Sequence, residues 1–105
     1  MLIQYVDLQM LNESDVLLLK SLAEMHAQKL ERFAPDGTIV VHVKGYSPLG
    51  DKVKYSLHVR VPMLQVGAEA VDWDVRKVTH SVFEKLTRAL EKKAGKNKAI
   101  PPKRR

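Results

Sequence analysis

Cysteine is absent from this 105-residue chain, which excludes disulfides, thiolate nucleophiles and cysteine zinc sites together. Also missing is any apolar run approaching the roughly 18 residues of a membrane helix. Met1–Val6 is short and interrupted by Gln4, unlike a signal peptide. A cytoplasmic address follows as the default. No Gly-rich phosphate loop, GKS or GKT motif, or nucleophile elbow occurs. Ser47 and Ser81 have no local base, so nothing in the sequence argues for an enzyme, a cofactor or a small-molecule substrate.

What is present suits one folded unit. Hydrophobic residues make up 45% of the chain, enough to bury a core at a length near the commonest domain size. The net charge of +6 is unevenly placed. Seven basic residues and no acidic one lie from Lys92 onward; the remaining 11 basic residues face 12 acidic ones in positions 1–91. The body is therefore not basic overall, and any polyanion site on it must be a local patch. Residues 1–94 are expected to form the single domain. Residues 95–105, with Gly95, Pro101 and Pro102 and no apolar periodicity, are expected to form a basic flexible tail.

Leu2 to Leu8 reads as a short strand. Asn12, Ser14 or Asp15 can cap a helix reaching about Phe33, with Leu19, Leu22, Ala23, His26, Leu30 and Phe33 on one face. Ala34-Pro35-Asp36-Gly37 ends it, because Pro35 lacks an amide hydrogen and Asp36-Gly37 is turn chemistry. Ile39, Val41 and Val43 then alternate with Val40, His42 and Lys44. After a Gly45–Asp51 loop, Val53, Tyr55, Leu57, Val59 and Val61 alternate with Lys52, Lys54, Ser56, His58 and Arg60. A hairpin closed symmetrically on that loop sets Lys44 opposite Lys52 and His42 opposite Lys54, a costly apposition that an anion would relieve. A further strand is expected through Leu64, Val66, Ala68 and Ala70, and Asp72 or Asp74 caps a last helix. The expected fold is α+β: a β-α-β-β-β-α two-layer sandwich, with a four-stranded, antiparallel-rich sheet carrying two helices on one face.

The last helix, within Trp73–Lys93, is the most informative segment. Val75, Val78, Val82, Phe83, Leu86 and Leu90 form one apolar stripe at roughly 100° per residue. Beside it Lys77, Ser81, Lys85, Arg88 and Lys92 fall within an arc of roughly 80°. The next flank carries His80, Glu84, Thr87 and Glu91. A helix that needed only solvation would mix its signs into i,i+4 pairs. Lining up cations suits a polyanion such as RNA.

Other candidates weigh less. His26, His42, His58 and His80 have no chelating spacing, and His26 is expected at the core edge with one hydrogen-bond partner. Asp72 and Asp74 are better read as helix N-terminal carboxylates than as an acid–base pair. Trp73, just before a helix, is expected to act as a staple or lid on the core, and Tyr46 to be the more exposed aromatic.

Three stretches carry a family resemblance. QKLERF at Gln28–Phe33, DKVKYSLHVRV at Asp51–Val61 and FEKLTRALEKKAGK at Phe83–Lys96, with the element order over residues 2–95, resemble the short ribosome hibernation-promoting factors, including the ribosome-associated translation inhibitor. That resemblance implies a fold like that of double-stranded-RNA-binding domains. It also implies a position on ribosomal RNA of the small ribosomal subunit, where messenger and transfer RNAs would bind, and silencing of translation under stress. Carried over by position, the RNA-binding residues it implies are Lys29, Arg32, Lys52, Lys54, Arg60, Lys85, Arg88, Lys92 and Lys93; the charged stripe adds Lys77. Asp72-Trp73-Asp74, the Gly45–Asp51 loop and Ile100–Arg105 depart from the family pattern. The competing reading is a protein-interaction or assembly module of similar fold whose basic tail only solubilises it.

Overall fold

The computed structural model describes residues 1–49 and 52–98, with side chains described except at 45–49, 52–53 and 95–98. Strand β1 (Leu2–Val6) leads through a 3-10 turn at Leu8–Met10 into helix α1 (Glu13–Leu30), then into β2 (Thr38–Leu49), β3 (Lys52–Val61), β4 (Val66–Asp72) and helix α2 (Val75–Lys98). The sheet order is β1-β2-β3-β4. β1 runs parallel to β2, and the other two pairs are antiparallel. The expected α+β topology is the one observed.

Both helices cover one sheet face because the strands' period-two pattern leaves that face apolar. Ile39, Val41, Val43, Leu57, Val59, Val61 and Ala70 meet Leu19, Ala23, Ala27 and Leu30 of α1 and Val78, Val82, Phe83, Leu86 and Leu90 of α2 in one cluster. Leu57 and Leu86, the centres of their respective patterns, are both in it and essentially inaccessible. Asn12 caps α1 by accepting from the Asp15 N–H at 2.8 Å. Asp74 caps α2 by accepting from the N–H groups of Arg76 at 2.7 Å and Lys77 at 3.2 Å.

Several boundaries move. β1 stops at Val6 because Asp7 takes a left-handed conformation, φ 61°. α1 ends at Leu30 and tightens into a 3-10 turn at Glu31–Phe33. Leu64 lies in a 3-10 turn after Pro62, and left-handed Gln65, φ 55°, redirects the chain into β4. α2 runs to Lys98, beyond the expected helix end at Lys93, and residues 99–105 of the expected tail lie outside the described residues.

The largest correction concerns the hairpin. Gly45–Leu49, expected as loop, continues β2 and pairs with β3 as far as Leu49 opposite Lys52. The register shifts between Val43 and Gly45, leaving Lys44 as the extra residue of a bulge, and His42 stands opposite His58. The expected apposition of Lys44 with Lys52 and His42 with Lys54 is not formed. The turn formers misled because β1 accompanies β2 only to His42. Beyond that point no strand among the described residues pairs with the outer edge of β2, so Pro48, which cannot donate to a ladder, is tolerated there.

Candidate nucleic-acid interface

The two charged flanks of α2 face different neighbours. The flank with His80, Glu84 and Glu91 lies toward α1. His80 Nδ1 is 3.0 Å from His26 Nε2, and Glu91 accepts from Arg32 at 3.4 Å. The cationic flank lies along the free edge of β4, where the Lys85 ammonium donates to the Glu69 carbonyl at 3.1 Å. Farther along, the Lys93 ammonium donates to the Leu64 carbonyl. Lysines over an unpaired edge strand also discourage strand addition, so part of this basic flank has a structural role.

The candidate cations therefore divide by what they already touch. Arg88 pairs with Glu84 one turn back at 3.2 Å, both side chains exposed, and Arg32 lies with its guanidinium 4.7 Å from the Phe33 ring centre as well as against Glu91. Such exposed pairs exchange readily for a phosphate, since they contribute little in water. Lys29, Arg60, Lys77 and Lys92 are exposed and, among the described residues, their side chains make no ion pair or hydrogen bond. Lys54 is exposed, its ammonium 6.0 Å from the centre of the Trp73 ring. The side chain of Lys52 lies outside the described residues. The nine positions whose side chains are described form no single patch. Lys77, Lys85, Arg88 and Lys92 run along α2, Lys93 reaches toward the Pro62–Leu64 turn, Lys54 and Arg60 stand on the helix-free face of β3, and Lys29 and Arg32 lie at the end of α1.

On the helix-free face Arg60 stands opposite Val40 on β2 and Gly67 on β4. A Cβ at Gly67 would lie 3.3 Å from both Arg60 Cβ and His58 Nε2. The missing side chain leaves an open cleft of about 360 Å³ lined by His58, Arg60, Pro62, Gln65, Val66 and Gly67. The sequence signal for it is a glycine inside an otherwise regular strand, which marks a close approach. Next to it the His42 ring donates to the Asp7 carboxylate at 2.7 Å.

The paired histidines of the helix seam were also missed, because their spacing of 54 residues carries no local pattern. One ring donates and the other accepts, and His26 stacks on Phe83 with ring centres 5.0 Å apart and planes 4° from parallel. Burial, with His80 and then Lys29 adding, holds the His26 imidazole below its ordinary pKa of 6.5. His26 thus has the single core-edge partner expected of it. Trp73 departs from expectation: it is 47% exposed and stands outside the core cluster. No helix among the described residues is long and apolar enough to cross a membrane.

This chain matches the family model described as sigma 54 modulation protein / S30EA ribosomal protein over residues 18–98. Among solved structures, the N-terminal domain of Protein Y from Thermus thermophilus is similar with a TM-score of 0.55 at 20% identity, over 88% of this chain and 98% of that one. A ribosomal subunit interface protein from Coxiella burnetii is similar with a TM-score of 0.50 at 23% identity, over 90% of this chain and 99% of that one. At such identities the likeness speaks for the fold. No protein of curated function matches the sequence.

Proposed function

The chain belongs to the sigma 54 modulation protein / S30EA ribosomal protein family, and from that premise we propose that it is a non-enzymatic ribosome-binding factor of the cytoplasm. It occupies the decoding region of the small subunit, on ribosomal RNA, and so inhibits translation or promotes hibernation. The structural neighbours, one named as a ribosomal subunit interface protein, support the direction of this reading. The observation that carries it is the uneven use of α2. One flank is engaged at His80 by α1 and at Glu91 by the turn that follows α1, whereas on the other the side chains of Lys77 and Lys92 make no ion pair or hydrogen bond among the described residues.

The mechanism is occupancy. Phosphates of a folded RNA surface meet the cations, and counterions leave as they do so. Shape and phosphate contacts position the domain, with few contacts to base edges. Arg32 and Arg88 can trade a solvated carboxylate for a phosphate oxygen at small cost, because both of their pairs are exposed. No side chain is asked to form or break a bond.

The test is co-sedimentation with ribosomes across a salt series, followed by competition with messenger and transfer RNA. The expected result is binding to the small subunit that weakens steeply with salt, is lost to competitors for the decoding region, and accompanies inhibition of translation. Salt-insensitive binding would point instead to an apolar protein contact and overturn the reading.

A further inference from the structure

We propose that Trp73 is a stacking platform for an unpaired RNA base, with Lys54 taking the phosphate of the same nucleotide; the proposal deepens the RNA-binding reading above and rests on it. Trp73 follows directly on β4, whose last ladder pair sets Asp72 opposite Tyr55. One step beyond that pair, Lys54 and Trp73 stand across from each other, the ammonium 6.0 Å from the ring centre. Both follow the outward alternation of Val71, Ser56 and His58, so they belong to the face that the helices leave uncovered.

A tryptophan that served only the fold would be expected to bury its ring, since that surface is among the largest apolar contributions a side chain can make. The core instead takes Phe83, fully buried, and leaves Trp73 nearly half in water beside Val71, itself 51% exposed. Exposed apolar groups of this kind stand beside exposed cations. The cations choose the partner. Lys54, Arg76 and Lys77 are all exposed, and among the described residues none makes an ion pair.

The two neighbouring carboxylates are already committed to the backbone. Asp72 accepts from the Trp73 N–H at 2.7 Å, and Asp74 accepts from Arg76 and Lys77. They fix the turn and occupy the start of α2, which closes that helix end to a phosphate. What remains on offer is the ring face. A base has a π surface whatever its identity, so the platform is tolerant of sequence and selective for single strands. When the base covers the ring, the Lys54 ammonium is free to turn to the phosphate. Lys77, four residues after Trp73, continues the cation line along α2 and connects this platform to the surface assigned above.

Trp73 is the only tryptophan in the chain, so its emission reports the site directly. The full-length protein is titrated with a short single-stranded oligoadenylate, with a fully paired RNA duplex, and with heparin, which carries charge but no base. Binding is followed separately by anisotropy of labelled ligands. The expected result is quenching and protection from acrylamide with the oligoadenylate, and binding without quenching for the duplex and heparin. Trp73→Ala should weaken oligoadenylate binding by at least about fivefold, with rescue by Trp73→Phe. Lys54→Gln should weaken it less and leave the quenching at saturation intact. An unchanged thermal midpoint for Trp73→Ala shows that the variant folds. Oligoadenylate that binds without quenching, or that fails to bind while ribosome binding persists, overturns the platform and spares the ribosome reading. Quenching by oligoadenylate with no ribosome binding does the reverse.

Discussion

Reversing two charges on one helix flank separates a binding surface from a solvated one. The sequence alone makes Lys85 and Arg88 the obvious pair, since they lie centrally in the stripe. The structure makes them the poorer choice. Lys85 donates to the Glu69 carbonyl at the sheet edge, and Arg88 already holds Glu84. Lys77 and Lys92 share the same flank and have no such partner among the described residues. Lys77→Glu/Lys92→Glu should therefore leave stability within about 0.5 kcal/mol of the parent. Each phosphate contact contributes roughly 0.7–0.9 to the slope of log affinity against log salt, so losing two lowers it by about 1.4–1.8. Between 50 and 200 mM salt, that difference amounts to roughly a tenfold change in how far affinity falls. The assay is ribosome co-sedimentation at four or more salt concentrations, with the parent protein measured in parallel. A variant that binds with the parent's slope and inhibits translation equally would refute phosphate contact along α2.

The core, the helix seam and one buried hydroxyl give three further tests. Leu57→Ala or Leu86→Ala, each at a fully buried position, should cost about 2–5 kcal/mol, and a thermal midpoint lowered by less than about 4 °C would contradict the packing described. His26 has its pKa held below 6.5 by burial first and by His80 second. The unfolded chain therefore takes up its proton at higher pH than the folded one, so stability present above pH 6.5 falls as pH drops toward the folded value. His26→Gln should flatten denaturation midpoints across that window, and an unchanged slope would show that the seam is not responsible. The Tyr5 hydroxyl is buried without a hydrogen-bond partner among the described residues, and burial, with Glu24 adding, raises its pKa. Tyr5→Phe should raise stability by up to about 1 kcal/mol in urea titration, whereas a loss of that size would show that the hydroxyl is satisfied.

Legibility followed how local each signal was. Leu57, Val59 and Val61, and Val78, Val82 and Leu86, declare their face by periodicity of 2 or 3.6, so the strands, the helices and the core cluster could be placed from sequence. The hairpin register could not, because it depends on where β1 stops. Gly45 and Pro48 are turn formers in isolation, yet with no strand beside them past His42 they sit in a ladder. Because the ladder runs on to Leu49 opposite Lys52, His42 meets a residue four places from the one expected, and the bulge at Lys44 adds one more place on the hairpin side. Trp73 shows the same limit from another side. Its position before a helix fits a lid on the core, yet the ring stays outside the core cluster and 47% exposed.

The charged flanks of α2 show how a correct pattern can carry an incomplete cause. Segregated signs on a helix suggested a polyanion, because a solvated face would gain from mixing them. In the fold, part of the segregation has a purely internal origin. Glu91 meets Arg32 and His80 meets His26 because that side faces α1, and Lys85 and Lys93 reach backbone carbonyls because their side lies over the β4 edge and the turn before it. An edge strand that needs lysines above it would place cations there with no RNA in view. The distinction lies in the cations this requirement does not explain. The ammonium groups of Lys77 and Lys92 reach neither the edge nor a carboxylate among the described residues, and Arg60 stands over a glycine that leaves its cleft open. Those three positions, more than the length of the stripe, are where an RNA surface and a protected sheet edge make different demands on the same sequence.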